Sequence, residues 1–354
     1  MDQRVRGRIV AAVISAGLAA SLLANGGSVA LVGDSTDPAE AVVVTTPSTS
    51  KASLSQGWQD SSTNTALYGG GLWLNPDSQP TAAVARLKAA GKTADATSLG
   101  AIASQPIATW LGDWWSTSLL KSKLAGYLRS ASVGSRTPVF VTYAIPDRDC
   151  GGYSAGGYTD SAYLSWNRTI ADSLRGHPAI ILIEPDSIAM LGDPHCSTIV
   201  AGRLALIATV VKYYADAGIA VYLDGGNSHW ATPDVMASRL TAAGIRYARG
   251  FFTNVSNFYP VNDERAYAAS LSGRLGDKHY VIDVSRNGAG WMGTWCNPAG
   301  AALGENPHLT SGTTPLDAVL WVKTPGASDG TCNGGPKAGT WWDAYALALV
   351  KNRR

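Results

Sequence analysis

The stretch Ile180-Ile181-Leu182-Ile183-Glu184-Pro185-Asp186-Ser187-Ile188 decides the fold. Four apolar residues with branched side chains run unbroken into two carboxylates. An apolar run this short suits a strand covered on both faces, as in a parallel sheet flanked by helices. Pro185 cannot donate to a strand ladder, so the strand ends near Glu184. Asp186 then falls just past the C-terminal end, the edge at which α/β sheets and barrels gather their reactive groups.

The same plan recurs on both sides of this stretch. Upstream, Leu72–Leu74, Ile107–Leu111 and Pro138–Tyr143 read as strands. Downstream, Ile219–Asp224, Phe251–Asn254, Tyr280–Asp283 and Ala318–Lys323 do the same. Helical stretches fall between them: Thr81–Ala90, Leu119–Arg129, one capped by Asp160 and running to Leu174, Ser197–Ala217, one opened by Pro233, Asp263–Leu275 and Trp341–Val350. Alternating strands and helices imply a parallel sheet with right-handed crossovers. Seven or eight such units in roughly 290 residues fit a distorted (β/α) barrel of about seven mostly parallel strands better than an open sheet. No GxGxxG or P-loop pattern opens a helix, which counts against nucleotide binding.

Composition narrows the function classes. The 354 residues carry a formal net charge of only +2, without a basic run, so nucleic acid is not an expected partner. Trp is abundant at 12 against 4 Phe, and indole faces are good platforms for sugar rings. Arg4, Arg6 and Arg8 precede an apolar stretch from Ile9 to Ala24. This reads as a secretion leader within residues 1–30, with a retained N-terminal anchor as the alternative. Residues 31–65, including Thr45-Thr46-Pro47-Ser48-Thr49-Ser50, read as a Ser/Thr-rich linker, and residues 66–354 as the folded domain. The expected product is a secreted monomer with no stable membrane association once the leader is removed. The four cysteines, Cys150, Cys196, Cys296 and Cys332, form no CxxC pair. In a secreted chain they favour two disulfides, with three pairings open.

On the barrel reading, Asp149, Asp186, Asp224 and Asp329 follow four different strands on one rim. Such a set can ligate a divalent cation, act as the acid and base of a glycosidase, or merely cap and solvate loops. His229 is the only histidine in these loops, which leaves a metal site short of nitrogen ligands.

Two long motifs narrow the choice. Val141-Thr142-Tyr143-Ala144-Ile145-Pro146-Asp147-Arg148-Asp149-Cys150 and the stretch from Ile180 to Ala189 resemble, in the right order, the two signatures of glycoside hydrolase family 6. Supporting segments are Tyr222–Asn227, Asn254–Asn257, Ile282–Gly288, Trp295–Pro298 and Trp321–Lys323. The resemblance runs from about Leu72 to the C-terminus. It implies inverting hydrolysis of β-1,4-glucan in a cleft at the C-terminal strand ends, with no metal or other cofactor. It also implies the pairings Cys150–Cys196 and Cys296–Cys332. By motif, Asp186 is the general acid, and Asp149 is its carboxylate neighbour and a candidate base. Asp329 is the rival base, Asp224 supports the electrostatics, and Tyr143 presses on the reacting sugar. Trp110, Asn227, Trp230, Asn257, Trp295 and Lys323 are the implied sugar contacts. Glu184 reads as a buried structural carboxylate, and Trp58, Trp166 and Trp341 as packing residues. Three departures stand out: Ala327 where the family has Glu, Asn227 where it has His, and Ala301 where Arg is common. The loops between the acids are compact, which favours an open-cleft endoglucanase. A cellobiohydrolase, a non-catalytic glucan-binding protein and a metal-dependent hydrolase are the alternatives.

Overall fold

The structure, a computed structural model, describes residues 62–353. The leader, most of the linker and Trp58 lie outside the described residues. Eight strands form one sheet: β1 (Thr109–Gly112), β2 (Val139–Tyr143), β3 (Ile180–Ile183), β4 (Ala220–Asp224), β5 (Gly250–Thr253), β6 (His279–Asp283), β7 (His308–Leu309) and β8 (Leu316–Leu320). Their order is β1-β2-β3-β4-β5-β6-β8-β7. All neighbours pair parallel except the two-residue β7, which lies antiparallel on β8.

The unbroken apolar runs are explained by packing on both faces. Register places Val141, Leu182 and Tyr222 side by side, and all three point into the barrel interior with Val139, Ile180 and Ala220. The alternate residues Phe140, Ile181, Ile183, Val221 and Leu223 face outward into a larger core shared with the helices. Helix α1 (Asn64–Tyr68) supplies Leu67 and Tyr68 to the interior cluster. The Tyr68 hydroxyl lies 3.3 Å from that of Tyr222. The polar interior group continues through Asp317, which accepts from Tyr222 (2.6 Å) and from Arg249 Nε (2.9 Å) and pairs with His279 Nδ1 (2.9 Å).

The barrel does not close along its seam. Between the β1 and β8 segments only Ile107 and Trp321 form a bridge, with Ala108 N donating to the Trp321 carbonyl at 2.9 Å. Two local expectations need correction, and two elements are new. Leu72–Leu74 does not form a strand, because only Leu72 bridges Thr137. Thr159, not Asp160, stands at the N-cap of the helix Asp160–Leu174, where the Asp160 carboxylate instead complements the first-turn N–H groups. A helix at Thr93–Ala103 and the edge strand β7 were not anticipated.

Candidate active site

Four carboxylates converge at the C-terminal ends of the strands, each fixed differently. Asp186 lies three residues beyond β3 in a left-handed backbone conformation (φ 72°). Asp224 closes β4. One of its oxygens accepts from Ile188 N and Ala189 N, both at 2.9 Å, and the other from Gly226 N at 3.0 Å. It thereby pins the chain just after Asp186 and sets a second carboxyl group beside it; burial pushes that group up, and the backbone N–H donors hold the rise back. Burial first, then the charges of Asp224 and Asp149, push the Asp186 carboxyl well above the usual carboxylate range, against the opposing pull of Lys323. The sequence reading gave Asp149 as such a like-charge neighbour; Asp224 acts alongside it and ahead of it.

Asp149 follows β2 on a loop tied by the disulfide Cys150–Cys196 to the segment after β3. One of its oxygens accepts from Ser154 N at 2.7 Å. Burial raises its carboxyl, and Ser154 N, Arg148 and Lys323 hold the rise back. Tyr143, at the end of β2, meets Trp110 edge-on at 5.0 Å. Trp110 is anchored by its indole N–H, which donates to the Val322 carbonyl at 2.8 Å. Burial and the charges of Asp186 and Asp149 push the Tyr143 phenol well above its usual range, so it stays neutral. Tyr153, on the Asp149 loop, lies 6.1 Å from Trp295 and against Gly330, where a Cβ would come within 2.4 Å of its ring. The loops after β2, β6 and β8 therefore touch.

Asp329 is set apart by its cations. It pairs with Arg286 at 2.8 Å and Lys323 at 3.0 Å and accepts from Asn297 N at 3.0 Å. Asn297 Oδ1 in turn accepts from Asp329 N at 2.8 Å. The Cys296–Cys332 disulfide staples this corner. Burial would raise the Asp329 carboxyl, but Arg286 and Lys323 overcome it and hold the group down at about 2.

The remaining expected residues fall into two groups. Trp230 and Trp295 are exposed on the rim, at 36% and 48%. Asn227 is buried, and its Oδ1 accepts from His229 N at 3.0 Å, so it shapes the β4 loop. Asn257 donates to the Val255 carbonyl within its own turn, at 3.1 Å. Glu184 is fully buried and accepts from Ala144 N and Ile145 N at 2.9 and 3.1 Å. Ala327 and Ala301 are both buried. Among the described residues, no three His, Cys, Asp or Glu side chains are grouped to hold a metal ion.

Sequence reasoning missed Asp283, Arg286 and Asn297. Asp283 ends β6 as Asp224 ends β4, and it accepts from Ser285 N, Val322 N and Lys323 N at 2.9, 3.2 and 3.0 Å. That strand-end pattern was a usable signal. For Arg286, fully buried and 43 residues from Asp329 in sequence, only its place in a motif segment hinted at a role.

Comparisons with known proteins agree on one family. The sequence pattern described as Glycosyl hydrolases family 6 matches residues 68–353. The chain is 42% identical over 284 residues to Endoglucanase A of Cellulomonas fimi, a match covering 80% of this chain and 62% of that protein. It therefore spans less than two thirds of that relative's length. It is 36% identical over 290 residues to Endoglucanase 1 of Streptomyces halstedii, covering 79% and 88%. Among solved structures, it resembles the endoglucanase Cel6 from Mycobacterium tuberculosis in complex with methyl-cellobiosyl-4-deoxy-4-thio-β-D-cellobioside. That match has a TM-score of 0.74 and 38% identity, and it covers 81% of this chain and 98% of that one.

Proposed function

The chain belongs to glycosyl hydrolases family 6, and from that premise we propose that it is an inverting endo-β-1,4-glucanase acting on cellulose or a related β-glucan. The observation that carries this reading is the asymmetry of the carboxylates. Burial and the charges of Asp224 and Asp149 push the Asp186 carboxyl well above the usual carboxylate range, while Arg286 and Lys323 hold that of Asp329 down at about 2. A protonated acid beside ionised carboxylates is the arrangement that glycoside hydrolysis requires.

Asp186 donates its proton to the glycosidic oxygen as the C1–O bond breaks. Water attacks C1 from the opposite face and forms the new C1–O bond with inversion. The proton released by that water passes to Asp149, directly or through a second water. Asp149 suits the task better than Asp329, because a carboxylate held at about 2 is a poor proton acceptor near neutral pH. Tyr143 and Trp110 form an aromatic corner for the reacting sugar, and Trp230 and Trp295 offer stacking faces along the rim.

Residues 1–30 serve as the secretion leader and residues 31–65 as the linker, as the Arg-rich start and the Ser/Thr-rich composition support. No helix among the described residues is long and apolar enough to cross a membrane. The partner is the glucan itself, and the enzyme works as a monomer.

The test is viscometry of carboxymethylcellulose with parallel assay of reducing ends. An early viscosity drop with few reducing ends is expected. Reducing ends without loss of viscosity would mean chain-end attack and refute the endo reading. Cellooligosaccharide binding without turnover would leave only a binding protein.

A further inference from the structure

Asp113, just past β1, was assigned no role by the motifs. One of its oxygens accepts from Arg148 Nη1 at 2.9 Å and the other from Gly157 N at 2.9 Å. Arg148 and Gly157 are the two ends of the loop that carries Asp149. The guanidinium is buried and does more than pair. The same nitrogen donates to the Tyr143 carbonyl at 2.6 Å, and Nε donates to the Ser154 carbonyl at 2.8 Å. Its carbon lies 4.8 Å from the centre of the Tyr143 ring. Arg148 N donates to the Gly156 carbonyl at 3.0 Å, closing the loop's neck. The glycines there leave room for this arrangement. A Cβ on Gly156 would lie 2.7 Å from the guanidinium, and one on Gly157 would lie 1.9 Å from the Ile145 carbonyl oxygen.

We infer that Asp113 is a positioning residue for this reaction: through Arg148 and Gly157 it clamps both ends of the 148–157 loop and so fixes Asp149 and Tyr143 relative to each other. The inference rests on the proposed role of Asp149. Three features support a positioning function over a merely stabilising pair. The clamp joins the ends of β1 and β2 to the loop at once. Asp149 follows Arg148 directly. Ser154, whose carbonyl the guanidinium holds, is also the residue whose N–H holds the Asp149 carboxylate. Loosening one contact therefore moves the reacting carboxylate.

The experiment is steady-state kinetics of Asp113→Asn on carboxymethylcellulose and on a soluble cellooligosaccharide, with unfolding followed in parallel. The amide keeps the size of the side chain but not its paired charge. A displacement on the order of 1 Å costs about 10²-fold in turnover. The expected result is a kcat loss of that order, with KM changed less than about twofold and the assay run well below the unfolding temperature. Should Asp113→Asn not fold, Arg148→Lys, which keeps the charge and loses the fork, reads the same clamp. The double variant Asp113→Asn/Arg148→Lys is expected to lose little more than the worse single variant, because the two residues act as one unit. Wild-type kcat in a folded single variant, or losses that multiply in the double, would overturn the inference. Asp149→Asn separates this from the underlying reading. If it is inactive while Asp113→Asn turns over normally, the clamp alone fails; if it turns over normally, the role of Asp149 fails and the clamp with it.

Discussion

Replacing Asp329 by Asn tests the cation cluster that sets this carboxylate apart. Its carboxyl falls from 3.8 to about 2 on folding. A shift of that size stabilises the folded state by roughly 2 kcal/mol, at about 1.36 kcal/mol per unit. Asp329 is 5% exposed, so solvent screening removes little of this. The substitution also leaves Arg286, fully buried, without its carboxylate. Breaking a buried pair by removing one partner costs about 3–5 kcal/mol. The variant should therefore unfold roughly 6–20 °C below the wild type at pH 7, at about 2–4 °C per kcal/mol for a domain of this size. The sign of the pH dependence follows from the direction of the shift. A depressed folded-state value gives stability that is present in full above the unfolded value of 3.8 and is lost as pH falls through about 2. About half of this ionisation term should remain at pH 3. Urea unfolding of both proteins at pH 7, 5 and 3 measures this directly. Equal midpoints at pH 7, or a gap that widens on acidification, would refute the reasoning.

Other expectations follow from the same geometry. Asp186→Asn should lower kcat by about 10²–10⁴-fold while calorimetry still shows cellooligosaccharide binding; loss of binding with retained turnover would contradict the acid role. Asp224 raises the Asp186 carboxyl, and Asp186 must be protonated to act. Asp224→Asn should therefore shift the alkaline limb of the kcat profile to lower pH, by on the order of one unit, and a shift to higher pH would contradict the assignment. Asp317→Asn breaks the buried Arg249 pair at the N-terminal strand ends. It should cost about 3–5 kcal/mol in urea unfolding with kcat of the folded enzyme unchanged; a large kcat loss would show that the two ends of the barrel are coupled. Replacing Cys150 and Cys196 together by Ser releases the Asp149 loop. Stability should fall by about 2–4 kcal/mol along with kcat, and unaltered kcat would mean that the loop is held without the staple.

What the sequence made legible follows from distance along the chain. The stretch Ile180–Asp186 carries its own evidence: a buried apolar run, a proline that ends pairing, and an acid beyond it. Each of those is a local signal, and the structure places β3 at Ile180–Ile183, with Asp186 just beyond. Asp224 was legible for the same reason. Asp283 obeys the same rule and lies inside the supporting segment Ile282–Gly288, yet it was given no role, because its partners Ser285 N, Val322 N and Lys323 N meet it only in the fold. Leu72–Leu74 failed in the opposite way, since its apolar run looks like a strand, yet it finds a single bridge at Thr137 and no ladder. Edge pairing is decided by partners remote in sequence, which periodicity does not encode.

The same limit governs the chemistry. The sequence names four acids but not which are charged. That depends on Arg286 and Lys323 around Asp329, and on the absence of any such close pair at Asp186, whose larger charge terms are the acids Asp224 and Asp149. The cation beside Asp149 is spent on other work: Arg148 turns its guanidinium to Asp113, to the Tyr143 and Ser154 carbonyls and to the Tyr143 ring. It acts on Asp149 only as a secondary charge, behind burial and the Ser154 N–H. One rim therefore holds three differently tuned carboxylates through the choice of which cation reaches which acid. The Arg286–Asp329 contact joins loops after the paired strands β6 and β8, so the sorting of acid from base is a property of that strand pairing, and appears only when those loops are brought together.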